Sequence, residues 1–216
     1  MFHVKHHIQK LPFKREWHQF NEEVYNNTEG LDDYADQLLW WNNKVNLVSR
    51  NVSRETILEH VRHSLTLSLM PIFNDYDYVI DTGTGGGLPG IPLAIAFPEK
   101  KFLLNDIVGK KILTVKEMTK SLKLNNVSTY SGSIEAIPLE QSELVISKHA
   151  FKINDLLSML DGRWEDILLL KGTDIEEELG GLQTALDIKV YDLYAESGEE
   201  FYEGKGIVHI RKSDEK

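Results

Sequence analysis

The stretch from Val79 to Gly90 combines the residue types from which a ligand-binding turn is built. It reads Val-Ile-Asp-Thr-Gly-Thr-Gly-Gly-Gly-Leu-Pro-Gly, so an apolar run ends at an acid and leads into four glycines within five positions. Glycines let the backbone turn sharply and let a ligand approach without a side chain in the way. In doubly wound α/β sheets such a turn lies at the carboxyl ends of the strands, where ligands bind. The stretch therefore predicts a ligand site at that edge of a sheet.

Two ligand classes fit this turn. The pattern G-x-G-x-x-G, which begins at Gly85, is typical of dinucleotide sites but is weak alone. A dinucleotide also needs open amides at a helix N-terminus, and Pro89 and Pro92 remove two such donors. S-adenosylmethionine is the second class, because Asp81 stands two residues before Gly83, where a carboxylate would meet the ligand ammonium. A tight turn without a ligand is disfavoured by the conformational entropy that glycines lose on folding.

Asp106 ends the next apolar run, 23 residues after Gly83. An acid at this place typically accepts hydrogen bonds from ribose hydroxyls. Considered alone, Asp106 is equally suited to cap the lysine-rich helix that follows. Its distance from the glycine turn favours the ribose role.

Few residues near the turn suit covalent or metal chemistry. The chain has no cysteine, which excludes disulfides, thiolate ligands and a cysteine nucleophile. His60 and His63 lie three residues apart, a spacing that places both on one helix face, but no third ligand accompanies them. We therefore predict no metal site, and a buried contact for His60.

Charge is distributed unevenly along the chain. The formal net charge is −10, which taken as a whole argues against a nucleic-acid partner. Residues 161–203 hold 13 acidic and three basic residues and so supply the whole excess, whereas residues 99–123 hold seven lysines and three acidic residues. We expect a polyanion to approach the lysine-bearing side, with the acidic region facing away. A solvated helix face is the alternative for these lysines.

Two hydrophobic patterns divide the chain. Residues 1–70 show helical spacing, with apolar stripes over 31–45 and 57–69 and with Ser53 as an N-cap. Short apolar runs then alternate with helical patterns over residues 71–216, which predicts an α/β domain with a mostly parallel sheet covered on both faces. The predicted strands are 78–81, 101–106, 127–130, 144–147 and 167–171, then an antiparallel pair at 188–194 and 207–211. A capping box over 173–176 predicts one further, acidic helix.

Taken together, these residues resemble the bacterial small-subunit ribosomal RNA guanine-N7 methyltransferases of the RsmG or GidB type. The glycine stretch, continued through Leu88-Pro89-Gly90-Ile91-Pro92, is the most specific match. Supporting matches lie at Trp41–Leu47, His60–Leu65, Leu103–Asp106 with Lys110-Lys111, Val145–Ser147 and Leu169–Gly172. The resemblance spans most of the chain. It implies the Rossmann-like fold of S-adenosylmethionine-dependent methyltransferases, with a mostly parallel seven-stranded sheet, an antiparallel final hairpin and a helical N-terminal extension.

The resemblance and the glycine turn together suggest roles for individual residues. Cofactor binding is expected of Asp81, Gly83, Gly85, Leu88, Asp106, Ile134, Glu135 and Lys148. Lys148 is also the expected catalytic residue, and RNA contacts are expected of Lys110, Lys111 and Lys171. A helix-start lysine paired with an acid is the alternative for Lys148.

The sequence departs from the family pattern at three of its positions. Lys148 stands where the family usually has arginine, His63 where it usually has aspartate, and Ser133 where it often has arginine. Lysine keeps the charge of arginine but loses the planar fork. These departures concern substrate contact more than cofactor binding.

The implied activity is transfer of a methyl group from S-adenosylmethionine to N7 of a guanine in 16S ribosomal RNA. Guanine N7 carries a lone pair and no proton, so alignment rather than a general base would govern the reaction. The stretch Ser147-Lys148-His149-Ala150 lacks the Asn/Asp-Pro-Pro-aromatic motif of adenine amino-group methyltransferases. Two alternatives are an S-adenosylmethionine-dependent enzyme acting on a small molecule or protein, and a non-catalytic ribosome-assembly module.

The expected partner is 16S ribosomal RNA or a small-subunit precursor. The longest apolar run, Ile91–Phe97, is far shorter than the roughly 20 residues of a membrane span. We therefore expect a cytoplasmic protein without a membrane segment, and a monomer. The sequence leaves open the target guanine and whether naked RNA or a particle is modified.

Overall fold

Residues 6–213, the part of the chain that the computed structural model describes, contain one large sheet with helices on both faces. Its eight strands are β1 (His7–Pro12), β2 (Tyr78–Thr82), β3 (Lys101–Asp106), β4 (Val127–Ser131), β5 (Glu143–Lys148), β6 (Asp166–Gly172), β7 (Leu186–Asp192) and β8 (Lys205–Lys212). Their order across the sheet is β1-β7-β8-β6-β5-β2-β3-β4. Strand β8 runs antiparallel to its neighbours β6 and β7, and the other pairs are parallel. The final antiparallel hairpin is thus confirmed.

Helices connect the strands and precede them. They are α1 (Trp17–Asn26), α2 (Leu31–Asn42), α3 (Arg54–Leu65), α4 (Gly90–Ala96), α5 (Gly109–Ser121), α6 (Ile153–Leu160) and the short α7 (Tyr194–Ser197). Ser53 is the N-cap of α3, since its Oγ accepts a hydrogen bond of 3.2 Å from the backbone N–H of Thr56. No helix of residues 6–213 is both long enough and apolar enough to cross a membrane.

Two apolar cores cover the two faces of the sheet. The first joins the N-terminal helices to the rest of the chain, because Leu38, Ile57 and Val61 pack in the same cluster as Ile91 of α4 and Leu104 of β3. The second lies on the opposite face and contains the buried side of α6. The N-terminal helices therefore share a core with the sheet, and the division of the chain at residue 70 stays a prediction.

The sheet has one strand more than the seven predicted. Strand β1 comes from the segment predicted to be helical and pairs in parallel with β7 at the edge of the sheet. The ammonium of Lys10 lies 3.2 Å from the carboxylate of Asp174 and 3.1 Å from that of Glu176, which holds the strand across the edge. Strand β1 pairs with residues far along the chain, such as Ile8 with Ile188, so local spacing did not reveal it.

The prediction of an acidic helix after the capping box is wrong. Only a 3₁₀ turn forms, over Glu176–Leu179. Gly180 and Gly181 follow at once, and Gly181 has a positive φ of 84°. Glycine ends helices in this conformation, so the segment stops after one turn.

Candidate functional site

A cavity of about 750 Å³ opens at the carboxyl ends of β2, β3 and β5, where parallel sheets bind ligands. The glycine turn, the loop after β3, the loop after β5 and the segment before α3 form its walls. The lining residues include Leu47, Val48, His60, Gly83, Gly85, Leu88, Asp106, Ile107, Lys111, Ser133, Ile134, Lys148, His149 and Phe151. Another depression, of about 810 Å³, lies around Phe20 and Phe97 and contains none of the predicted site residues.

The glycine turn allows a close approach at Gly83. This residue has a φ of 71°, a left-handed conformation that disfavours side chains. A Cβ placed on Gly83 would overlap Ala150 Cβ and would lie 2.9 Å from Cε2 of Phe151. The absence of a side chain therefore lets the two loops meet at the cavity floor.

Asp81 lies behind the turn and does not line the cavity. The residue is fully buried, and its Oδ2 accepts hydrogen bonds from Thr84 Oγ1 at 2.6 Å and from the Gly90 backbone N–H at 2.9 Å. Burial raises the pKa of Asp81 to about 7, although both hydrogen bonds act in the opposite direction. Through Oδ2 the carboxylate fixes the turn to the first residue of α4, whereas Oδ1 has no hydrogen-bond partner within residues 6–213. The direct ammonium contact of Asp81 stays a prediction.

Asp106 connects two walls of the cavity. Its Oδ2 accepts a hydrogen bond of 3.0 Å from the Gly85 N–H, and its Oδ1 accepts one of 2.9 Å from the Val108 N–H. Each carboxylate oxygen has two lone pairs, so one lone pair on each remains for a ligand. Asp106 is not the N-cap of α5, which is Val108 without a side-chain cap, but it satisfies the amide of that residue and lines the cavity. The ribose contact stays a prediction.

Lys148, at the end of β5, contacts His60 of α3 across the cavity wall. The Lys148 Nζ lies 3.0 Å from His60 Nδ1 and 3.2 Å from the His60 carbonyl oxygen. Burial, and after it the positive charge of Lys205, lower the pKa of Lys148 to about 7 against the opposing charge of Asp81. Burial and the nearby Lys148 charge likewise lower the pKa of His60 to about 3. Within residues 6–213, Lys148 therefore pairs with His60 and not with an acid, as the alternative for this lysine had it.

The residues after β4 are only partly brought to the cavity. Leu88 and Ile134 are buried and line it, as does Ser133. Glu135 is exposed, does not line the cavity, and accepts a hydrogen bond of 2.7 Å from Ser133 Oγ. Its predicted cofactor contact would require the side chain to leave this partner.

The predicted RNA-binding lysines differ in their surroundings. Lys110 is exposed and Lys111 is half-buried at the cavity mouth, both in the first turn of α5. Lys171 is buried, donates a hydrogen bond of 2.7 Å to the carbonyl of Phe151, and pairs with Glu178 at 2.9 Å. This geometry argues against the RNA contact predicted for Lys171, which instead anchors the loop that carries Phe151.

Some cavity residues were missed by sequence reasoning. Leu47 and Val48 line the cavity because Asn42 Oδ1 accepts hydrogen bonds from both of their backbone amides. The matched stretch Trp41–Leu47 was the available signal. His149 also lines the cavity, in a left-handed conformation with a φ of 52° that its spacing did not indicate.

His63 and the acidic region lie near this wall. His63 is fully buried, without a hydrogen-bond partner for either ring nitrogen, against Phe201 and Tyr202. Phe201 also packs on the His60 ring, with centroids 5.4 Å apart. The turn around Phe201 belongs to the acidic region, so this part of it lies beside the cavity wall instead of facing away. Within residues 6–213 no three histidine, aspartate or glutamate residues are grouped to hold a metal.

Comparisons with known proteins identify the family of the chain. A family model described as rRNA small subunit methyltransferase G (GidB) matches residues 27–198. A protein of Chlorobium limicola named Ribosomal RNA small subunit methyltransferase G is 36% identical over 194 residues, which cover 86% of each chain. A protein of the same name from Chlorobaculum tepidum is 42% identical over 152 residues, 68% of this chain and 69% of that protein.

Solved structures show the same fold at low sequence identity. The O-methyltransferase from Bacillus cereus in complex with SAH has a TM-score of 0.59 and 14% identity, covering 91% of this chain and 99% of that one. The SAH-bound Podospora anserina methyltransferase PaMTH1 also has a TM-score of 0.59, with 12% identity and coverage of 94% and 98%. The methyltransferase fold is thereby confirmed. With most of its length matched by the family model, the chain belongs to the rRNA small subunit methyltransferase G family.

Proposed function

We propose that this chain transfers a methyl group from S-adenosylmethionine to N7 of a guanine in 16S ribosomal RNA. The observation that carries the proposal is the cavity at the carboxyl ends of β2, β3 and β5, in a chain of this family. It has a side-chain-free floor at Gly83, a carboxylate at Asp106 and, at the carboxyl end of β5, the amine of Lys148, with Lys111 on the α5 side. It contains no cysteine, so a covalent cysteine mechanism is excluded.

The cavity residues fit S-adenosylmethionine. A Cβ at Gly83 would overlap Ala150, so the glycine lets the turn and the loop after β5 meet at the cavity floor without a side chain between them. Asp106 retains one lone pair on each carboxylate oxygen, which suits the two ribose hydroxyls. Leu88 and Ile134 supply apolar walls. We expect these residues to hold the cofactor, with Asp81 supporting the turn from behind.

When bound, S-adenosylmethionine supplies a sulfonium methyl group, whose C–S bond breaks with its electron pair returning to sulfur as the N7 lone pair forms the new N–C bond. The protein has no proton to remove from guanine N7. Its residues act by alignment and by excluding water, effects that together can supply several kcal/mol. Lys148 is the expected catalytic residue because it is the amine at the carboxyl end of β5 that lines the cavity.

The proposed substrate is 16S ribosomal RNA or a small-subunit precursor, which places the reaction in the bacterial cytoplasm. Lys111 lines the cavity, and the exposed Lys110 precedes it in the first turn of α5, where cations favour approach of phosphates. We also propose that the chain acts as a monomer.

The test compares ribosomal RNA from cells with and without this gene. Nucleosides from purified 16S RNA are separated and quantified by mass spectrometry. We expect one equivalent of 7-methylguanosine to disappear on deletion and to return when the gene is restored. Unchanged 7-methylguanosine in the deletion strain would overturn the substrate assignment. Label from methyl-labelled S-adenosylmethionine appearing in protein or small molecules, and not in RNA, would favour the other enzyme class.

A further inference from the structure

The contact between Lys148 and His60 limits what the lysine can offer a substrate. A lysine ammonium has three N–H donors. Two of them are directed at His60, one at Nδ1 and one at the backbone carbonyl oxygen, at 3.0 and 3.2 Å. Among residues 6–213, Lys148 Nζ has no further hydrogen-bond partner and no ion pair with a carboxylate. One donor is therefore left for the cavity.

A neutral His60 ring is required for this arrangement. With Nδ1 accepting from Lys148, the proton of the imidazole lies on Nε2. Burial and the neighbouring Lys148 charge, which lower the pKa of His60, keep the ring in this neutral form. The orientation of the His60 ring is also fixed by packing. Phe201 packs edge-on against it and in turn packs on Tyr202, with centroids 5.1 Å apart.

A single donor has a specific use at the edge of guanine. That edge presents two acceptors side by side, N7 and O6. A donor on N7 would occupy the lone pair that must attack the methyl group, whereas a donor on O6 leaves it free. An arginine fork offers two parallel N–H groups that match both acceptors, but a lysine offers point contacts.

We propose that His60 is a positioning residue, which takes two donors of Lys148 and leaves the third to bind guanine O6, so that N7 stays free to react. This inference rests on the proposed guanine-N7 activity. It assigns His60 a task that a buried packing contact does not have. It also makes the Phe201 turn part of the support for substrate alignment.

The test combines variants of His60 with a change in the base. H60N keeps an oxygen acceptor near the place of Nδ1, H60L removes it at similar size, and K148M removes the donor. Small subunits are reconstituted with 16S RNA from the deletion strain after the modified guanine has been mapped. The second substrate carries 2-aminopurine at that position, which keeps N7 and lacks O6.

We expect H60L and K148M to lower kcat for the guanine substrate about 10-fold to 100-fold, the range for one charged hydrogen bond. In H60L the dissociation constant of S-adenosylmethionine should be unchanged. H60N should stay within about threefold of wild type. When 2-aminopurine replaces guanine, kcat of the wild type should fall by a similar factor. The already lowered kcat of H60L and K148M should change little with the same replacement. The effects of protein and base are then not additive, as expected of two groups in contact.

Two results would overturn the inference. One is that 2-aminopurine lowers kcat of H60L by the same factor as kcat of the wild type. The other is that H60N lowers kcat on guanine as much as H60L does. Should H60L fold poorly by circular dichroism, H60Q, whose acceptor is displaced by one methylene, takes its place with the same expected loss. Wild type forming no 7-methylguanosine in 16S RNA would instead refute the proposed function itself.

Discussion

The carboxylate of Asp106 at the end of β3 accepts a hydrogen bond of 3.0 Å from the backbone N–H of Gly85 in the glycine turn. The same carboxylate accepts from Val108, just before α5. One side chain thus fixes the distance between the turn and the α5 loop. The glycine turn follows β2 and the α5 loop follows β3, so the width of the cavity between them depends on this residue.

The first prediction concerns Asp106. D106A removes both backbone contacts and the expected ribose acceptor, so S-adenosylmethionine should bind at least about 100-fold more weakly, as for the loss of two charged hydrogen bonds. Isothermal titration calorimetry measures the affinity. D33A, which changes an exposed acid in the first turn of α2, is the matched control and should bind like wild type. Equal affinities of D106A and wild type would remove Asp106 from the site.

The second prediction concerns the cavity floor. G83A forces a side chain into a left-handed conformation and brings its Cβ onto Ala150, so both stability and cofactor affinity should fall. The conformation alone costs about 1 to 2 kcal/mol of unfolding free energy. The double variant G83A/A150G removes the overlap with Ala150, though not the close contact with Phe151, and should recover part of the affinity but not the conformational cost. Urea unfolding and calorimetry on both variants separate the two terms, and no recovery in the double variant would argue against the overlap.

Sequence patterns predicted the central strands because those strands are buried on both faces. The run Leu144 to Ile146 is apolar at every position and lies between helices, so its pattern needs no knowledge of partners. The glycine turn and Asp106 were likewise predictable, since the ends of successive parallel strands meet at one edge of the sheet. These features depend on spacing along the chain.

The remaining features depend on which way a side chain points and on partners that are distant in the sequence. Asp81 has the expected position in the sequence, but its side chain points behind the turn because Thr84 and Gly90 supply donors there. Lys171 resembles any lysine after a strand, yet its partner Glu178 comes from a later turn. Neither orientation follows from the neighbouring residue types. Spacing alone therefore could not distinguish a residue that holds a loop in place from one that contacts a ligand.

The third prediction is a pH dependence. Because the pKa of Lys148 is lowered to about 7 by burial and by Lys205, its ammonium should lose a proton as the pH rises through that value. The methylation rate, measured between about pH 6 and 8.5 under single-turnover conditions, should then fall on the alkaline side. K148R stays charged throughout, so its profile should lack this limb. K205M removes a repelling charge and should move the limb to higher pH; an identical profile in all three proteins would contradict the assignment.

The fourth prediction concerns the lysines at the cavity mouth. Neutralising Lys110 and Lys111 together to glutamine should weaken binding to 16S RNA and flatten the dependence of log K on log salt by about one unit per lost phosphate contact. K116Q is the control, an exposed lysine further along α5. Filter binding between about 50 and 200 mM salt gives the slopes. Equal slopes for the double variant and K116Q would mean that the first turn of α5 does not contact phosphates.

The fifth prediction concerns Asp166, which is fully buried at the start of β6 and accepts hydrogen bonds from His209 at 2.5 Å, Arg211 at 2.7 Å and Tyr76 at 2.8 Å. Burial alone would raise the pKa of Asp166, but these donors outweigh it and hold the pKa below its ordinary value. The carboxylate therefore stabilises the fold above about pH 4, and this stabilisation is lost as the pH falls further.

Replacing Asp166 with asparagine should lower the unfolding free energy at pH 7 by about 2 to 4 kcal/mol, less than for a wholly buried pair because Arg211 is half-exposed. The variant should also lose less stability than wild type between about pH 4 and 2.5, since it has no carboxylate to protonate there. Urea unfolding followed by tryptophan fluorescence measures both quantities. D187N, a half-buried acid on β7, is the control. Parallel stability curves for wild type and D166N across the acid range would show that the charge of Asp166 contributes nothing, and that the network stabilises the β6–β8 pair through shape alone.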